Sequence, residues 1–245
     1  MKVIVCKDSF ESILCGIYDA WEYRIKKEEV KLVIDNQYEY ELFCEYIPVK
    51  YDKEKVEKVI RTVRKLSEQI YYNLYQLSLS YEKDKGTIMY KFVAKALIYK
   101  EKTMECLQDK DIYNCFRIVR EIGKETHLFT GFLRFQRTSN QILFAKLKSK
   151  NNILIPLADY FSDRLPAENW IIYDEDRKYA VVHRSDGKWV VVNDDNVKHM
   201  DVKEDQYEYL WKSFVHSVSI KERENLKLQQ KMLPKRYRTN MTEFL

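Results

Sequence analysis

The chain has 245 residues, of which 45% are hydrophobic and 33% charged, with only five glycines and four prolines. That composition excludes a disordered, collagen-like or disulfide-stapled chain and leaves room for one large domain or two small ones with a real core. The net charge of +5 is uneven: from Val215 onward seven Lys/Arg face three Glu, so nearly all the excess lies at the C-terminal end. A local excess of this kind points to an anionic partner for one surface.

In chain order, "MKVIVC" reads as a first strand. "DSFESILCGIYDAWEYRI" follows as a helix with Ser9 as N-cap and Phe10, Ile13, Leu14, Ile17 and Trp21 at helical spacing. "VKLVID" and "YEYELFCEYIPV" read as strands, ending near Pro48. From Asp52 to about Glu125 the period is helical. One stripe carries Val56, Val59, Ile60 and Val63. Ser67 caps a second helix with Ile70, Leu74 and Leu77. A third runs through "TIMYKFVAKALIYKEKTMECL" to the neighbourhood of Asp109, and a fourth is "DIYNCFRIVREIGKETHLF". After Phe129 the period becomes two: "GFLRFQR" and "QILFAKLK" suit a hairpin through "TSN". "IPLADYFSDRL" is a short helix. "NWIIYD", "KYAVVHR" and "KWVVVN" are strands, the last two joined by "SDG". "DQYEYLWKSFVHSV" is a helix whose stripe of Tyr207, Leu210, Trp211, Phe214 and Val218 is expected in the core, and "SIKERENLKLQQKM" continues or restarts it. The expectation is an α+β protein with a central helical block between two strand-containing halves and antiparallel hairpins in the C-terminal half. Residues 1–125 form the strand-helix-strands and helical block, and 126–245 an α+β domain with a basic C-terminal helix and tail.

Five cysteines show no CxxC pair, and no apolar run reaches the ~18 residues of a membrane span. The expectation is a cytoplasmic protein with reduced thiols and no membrane association. No phosphate-cradling glycine loop, GxSxG or HExxH occurs, nor any zinc-deaminase signature. No metal site and no cofactor are expected. Weak catalytic candidates remain. His127 lies at a helix end, with Arg134 and Arg137 three apart on an expected strand and so on opposite faces. Asp174 and Arg177 flank a turn, where an ion pair fixing the turn is the plainer reading. The nucleic-acid-binding candidates are Arg223, Lys231, Lys235, Arg236, Tyr237 and Arg238: cations suited to phosphates, with an aromatic that stacks on a base or packs. The rival is structural, with the tail folded back and Arg236 and Tyr237 paired to Asp174 or Glu208.

These pieces resemble a bacterial family described as DNA metabolism or DNA repair proteins. "DSFESILCGIYDAWEYR" resembles its opening D-G-S-F-E-G-L-L…A-x-E, and "HLFTGFLRF" its H-x-F-x-G-x-x-R-F. "YFSDRLPAENWIIYDEDR" resembles its F-x-x-R-F-P…W-x-I-h-D-x-x-R. The most specific match is "LWKSFVHSVSIKERENLKLQQKMLPKRYRTNMTE", similar to L-W-x-x-F…R-x-N-x-x-L-Q…M-P-k-R-Y-W…T-E. The matching positions include His127, Gly131, Arg134, Phe135, Arg164, Trp170, Asp174, Arg177, Trp211, Arg223, Gln229, Pro234, Arg236 and Tyr237. Three departures stand out: Arg238 replaces the family's Trp, Lys150-Asn151-Asn152 stands where D-H-D is usual, and Tyr173 stands before Asp174 where His is usual. The resemblance implies DNA as a partner and a radical S-adenosylmethionine protein as companion. It also implies a C-terminal domain of otherwise unknown function that occurs fused to uracil-DNA-glycosylase-like domains. The chain has neither the CxxxCxxC of the radical cluster nor the glycosylase motifs G-x-D-P-G and H-P-S. The expected role is therefore a nucleic-acid-binding accessory. The alternatives are a nucleobase- or nucleotide-acting enzyme using His127 and Asp174, and a pure protein-interaction module. Oligomeric state is left open.

Overall fold

The structure, a computed structural model, describes residues 1–23, 29–193, 197, 206–220, 223, 225–241 and 244, with the backbone alone for 206–208. Among the described residues the fold is mixed α and β with two sheets, and the chain divides into two compact units, Met1–Gly123 and Lys124–Leu245.

In the first unit, β1 (Lys2–Cys6) is the middle of a three-stranded parallel sheet, flanked by β2 (Lys31–Ile34) and β3 (Glu45–Pro48). Its apolar run buries Val3, Ile4 and Cys6. Helix α1 (Phe10–Glu22) begins where the Ser9 hydroxyl accepts from the Ser12 amide, and it lays Ile13, Leu14 and Ile17 on the sheet. Gly16 is required by the closeness of that approach: a Cβ there would stand 2.6 Å from Cys6 Sγ. Helix α2 (Lys53–Leu66) is capped by Asp52, which accepts from the Glu54 and Lys55 amides, and buries Val56, Val59 and Val63. Ser67 ends α2 and caps α3 (Glu68–Ser78). In α4 (Lys85–Tyr99), Thr87 Oγ1 accepts from the Leu32 amide and donates to the Leu32 carbonyl, so it closes the open edge of β2. Lys85, almost wholly buried, donates to the Ser78 and Ser80 carbonyls and pairs with Asp8 at 2.5 Å.

Two sequence expectations change here. Only Glu45–Pro48 of "YEYELFCEYIPV" is strand. The third helix stops at Tyr99, because Lys100 enters the left-handed region (φ 52°), and a 3-10 turn over Lys100–Glu105 follows. All five cysteines are free.

Helix α5 (Lys110–Phe132) contains the division between the units. The second unit holds a five-stranded mixed sheet in the order β4 (Gln136–Arg137), β5 (Leu143–Leu147), β6 (Trp170–Asp174), β7 (Tyr179–His183), β8 (Trp189–Val192). The β5–β6 pair is parallel, bridged by α6 (Leu154–Arg164), and the other pairs are antiparallel. Strand β6 is buried along its whole length. Alternation along β6 gives each face its own cluster. Trp170 lies flat on the His183 ring and meets Phe135, itself edge-on to Phe161 of α6. Ile171 and Tyr173 pack with Phe144 and Ala180, joined by Ile142, Val182 and Val197. Helices α7 (Gln206–Val218) and α8 (Leu226–Met232) and a 3-10 turn (Lys235–Tyr237) complete the described chain. No described helix is long and apolar enough to cross a membrane.

The second unit also departs from expectation. "GFLRFQR" is not one strand: α5 runs through Phe132, and only Gln136–Arg137 pair with β5, so the hairpin is two residues deep. Arg134 is accordingly in the connection and not on a strand. The α7 stripe is not core: Leu210, Trp211, Phe214 and Val218 are all exposed. Tyr207 of that stripe lies outside the described side chains.

Candidate nucleic-acid interface

The polar centre of the second unit is the loop Ser149–Asn152, which follows β5. Three elements hold it. From α5, the buried Glu125 carboxylate accepts from the Lys150 amide (3.1 Å), the Asn151 amide (3.0 Å) and the Asn151 side-chain amide (2.6 Å). From the β6–β7 turn, Arg177 donates to the Ser149 carbonyl (3.3 Å) and the Lys150 carbonyl (2.6 Å). From β7, Tyr179 donates its hydroxyl proton to Asn152 Oδ1. The Ser149 hydroxyl donates to the Asn151 carbonyl at 2.8 Å. A short polar loop has its amides on one carboxylate and its carbonyls on one guanidinium, which satisfies groups that burial would otherwise leave unpaired.

Asp174 orients that guanidinium. It is fully buried, accepts from the Asp176 and Arg177 amides at 3.1 and 3.0 Å, and meets Arg177 Nη1 at 3.0 Å. Burial raises its pKa above 3.8, and Arg177 and the two amides oppose the rise. The pair therefore fixes a turn and a loop, as the plainer reading of these two residues had it.

The tail closes over this centre. Tyr237 is only 3% exposed and Met241 likewise 3%. The Tyr237 ring meets Phe129 and Phe132 of α5 at centroid distances of 5.0 and 5.8 Å. Its hydroxyl accepts from Arg236 Nη2 at 2.6 Å. Burial pushes the phenol pKa up, against the pull of Arg236. Asn240 donates to the Lys146 carbonyl and to Glu175 at 3.1 and 3.3 Å, which ties the tail to β5 and the β6–β7 turn. Tyr237 thus packs, and its ring is not presented to a base. The partners once expected for a folded-back tail also change: Asp174 is engaged by Arg177, and the Glu208 side chain lies outside the described residues.

The six basic-end candidates separate. Lys231, Lys235 and Arg236 are exposed. Arg238 is half-buried, with Nε and Nη2 donating to the Leu233 carbonyl at 3.1 and 2.9 Å and the guanidinium 4.7 Å over the Phe244 ring. That arginine caps the end of α8 and is the least free to meet a phosphate. Arg223 is exposed but lines a groove between α7 and α8. The side chain of Lys221 lies outside the described residues.

Of the catalytic candidates, Asp174 and Arg177 are joined by a described ion pair. His127 lies inside α5, exposed, and its imidazole meets no described hydrogen-bond partner. Arg134 donates to the Gly131 carbonyl at 2.8 Å and so caps the C-terminus of α5. Arg137 donates to Gln141 within the β4–β5 hairpin. No described hydrogen bond or ion pair joins His127 to Asp174. Among the described residues no group of three His, Cys, Asp or Glu side chains stands as a metal site.

A family model described as a domain of unknown function, DUF4130, matches residues 83–243. The chain belongs to the DUF4130 family. The match begins just before α4 and takes in Glu125, the Ser149–Asn152 loop, the Asp174–Arg177 pair and the anchored tail. No curated protein matches the chain. Sequence reasoning did not single out Glu125 or Asn240 and met Asn151 only as a departure from the family pattern, although Glu125 carried a signal. Ile118, Ile122, Glu125 and Phe129 fall on one helical stripe, and a lone carboxylate among apolar residues must have buried donors waiting for it.

Proposed function

We propose that this DUF4130 protein is a nucleic-acid-binding accessory of DNA metabolism that holds a phosphate backbone on its C-terminal basic segment. The observation that supports this reading is the anchoring of the tail. Tyr237, the last residue of the turn, and Met241 beyond it are buried, so Lys235 and Arg236, which lie in the same turn, are held on a fixed surface and do not trail in solvent. Fixed cations lose little side-chain and backbone freedom on meeting phosphates. Lys231 extends the same basic stretch from α8, and the chain's positive excess is concentrated here. The sequence resemblance supplies the setting, DNA modification or repair, and a radical S-adenosylmethionine protein as the catalytic companion.

The test is fluorescence-anisotropy binding of the full chain to single- and double-stranded DNA beside the double reversal Lys235→Glu/Arg236→Glu. Both positions are exposed, and because Arg236 also donates to the Tyr237 hydroxyl, hydrogen exchange at the Tyr237 amide checks that the tail stays anchored in the double variant. The reading expects affinity to fall at least about tenfold in the double variant, as phosphate contacts are replaced by like-charge repulsion. Equal binding by both proteins, or none by either, would refute it.

A further inference from the structure

Helices α7 and α8 carry apolar side chains that no described element covers. Trp211, Phe214 and Val218 lie at i, i+3 and i+7 on α7, one stripe of the helix, and the first two rings stack at 5.9 Å. Among these side chains Trp211 is 42% exposed, Phe214 54% and Met232 70%. Beyond Val218 the stripe enters a groove of about 650 Å³ between the helices, walled by Ile220, Leu226, Leu228 and Met232, with Arg223 in its lining. A continuous exposed apolar surface of this extent marks a site of interaction.

Charge and shape choose the occupant. Among the described residues of 209–232 the charged side chains are Lys212, Arg223, Lys227 and Lys231, all exposed, so the surface is basic. A second copy would bring the same positive surface to itself, and like charges would repel. A bilayer takes up one flat apolar face of a helix, whereas these side chains wall a groove from both sides. What fits is an apolar ridge flanked by negative charge. We infer that this groove receives an acidic amphipathic helix from a partner protein. Apolar side chains at i, i+3 or i+4, and i+7 fill the groove, and a carboxylate of the ridge meets Arg223. This deepens the accessory part of the function proposed above and does not depend on its nucleic-acid part.

The experiment uses the full chain and a fluorescein-labelled helical peptide of about four turns, with Leu at i, i+3, i+4 and i+7 and Glu on its flanks. Its control is the same peptide with Lys in place of Glu. The protein variants are Leu228→Asp/Met232→Asp and Arg223→Glu, all at exposed positions. The Glu peptide is expected to bind at least about tenfold more tightly than the Lys peptide. Both variants are expected to weaken it at least about tenfold, while Lys235→Glu/Arg236→Glu retains most of the binding. That last protein separates this inference from the DNA reading, since its DNA binding is the one expected to fail. Three results would overturn the inference. The Lys peptide binds as well as the Glu peptide or neither binds. The wild type binds phosphatidylcholine–phosphatidylglycerol vesicles and the Leu228/Met232 variant does not. Light scattering shows a dimer that the same variant dissolves.

Discussion

Replacing Tyr237 with Ala isolates what anchors the tail, because it removes the ring without changing the charge. The ring is almost wholly buried and meets two phenylalanines of α5 edge-on or tilted. Burying an aromatic of this size contributes about 1.5–3 kcal/mol, each ring contact adds about 0.5–1.5 kcal/mol, and large-to-small aromatic truncations cost about 3–5 kcal/mol in all. The residue lies near the end of the chain, so this loss falls first on the attachment of the tail and less on the sheet behind it. At about 1.4 kcal/mol per decade, it raises the population of the detached tail by roughly two to three and a half decades. Native-state hydrogen exchange reads that directly at the amides of Tyr237 and Arg238, which bond the Pro234 and Lys235 carbonyls. Limited trypsin digestion at Lys235 and Arg236 reads it again. Tyr237→Phe keeps the ring and loses only the bond from Arg236, so protection should fall by about tenfold or less. Unchanged protection in Tyr237→Ala would show that the ring does not hold the tail and would remove the reason for treating its cations as a fixed surface.

Other perturbations reach the frame around the tail. Glu125→Ala leaves two loop amides and the Asn151 side chain without their acceptor. It should cost about 2–4 kcal/mol in chemical denaturation of the second unit, and a change under about 0.5 kcal/mol would contradict the role given to this carboxylate. For Asp174 the sign follows from a raised folded pKa. Its contribution to stability is present below the unfolded value of about 3.8 and is lost as pH rises through the folded value. The stability of wild type relative to Asp174→Asn should therefore fall as pH rises above about 3.8, and a relative gain there would mean that Arg177 outweighs burial. In the first unit, Gly16→Ala places a methyl group 2.6 Å from Cys6 Sγ and should cost about 1–3 kcal/mol by thermal or denaturant unfolding. A neutral or stabilising result would mean that α1 can lift from the sheet freely.

Local chemistry made much of this fold readable in the sequence. Ser9 and Ser67 cap helices because their hydroxyls reach amides two or three residues on, and that spacing is visible in a single chain. The hairpin of β7 and β8 followed from alternation on both sides of Ser185-Asp186-Gly187. What failed was set by distant contacts. Lys100 ends α4 with a positive φ that no glycine announces. The stretch after Phe129 alternates like a strand, yet α5 continues through Phe132, whose ring meets Tyr237 more than a hundred residues away. Periodicity identified the apolar face of α7 correctly but could not say whether the chain itself covers it. In the basic tail, charge was legible and geometry was not. Nothing in "PKRYR" distinguishes the outward Arg236 from Arg238, which turns back to the Leu233 carbonyl.

The most direct test of the account is the salt dependence of DNA binding by the wild-type chain. Three exposed cations, Lys231, Lys235 and Arg236, predict a slope of log affinity against log salt of about −2 for single strands and about −3 for duplex. Affinity should then fall roughly 20- to 40-fold between about 50 and 200 mM salt, and the Lys235/Arg236 reversal should flatten the slope by about two phosphates. A slope near zero, or a steep slope that the reversal leaves unchanged, would contradict the assignment of the anchored tail as the phosphate-binding surface.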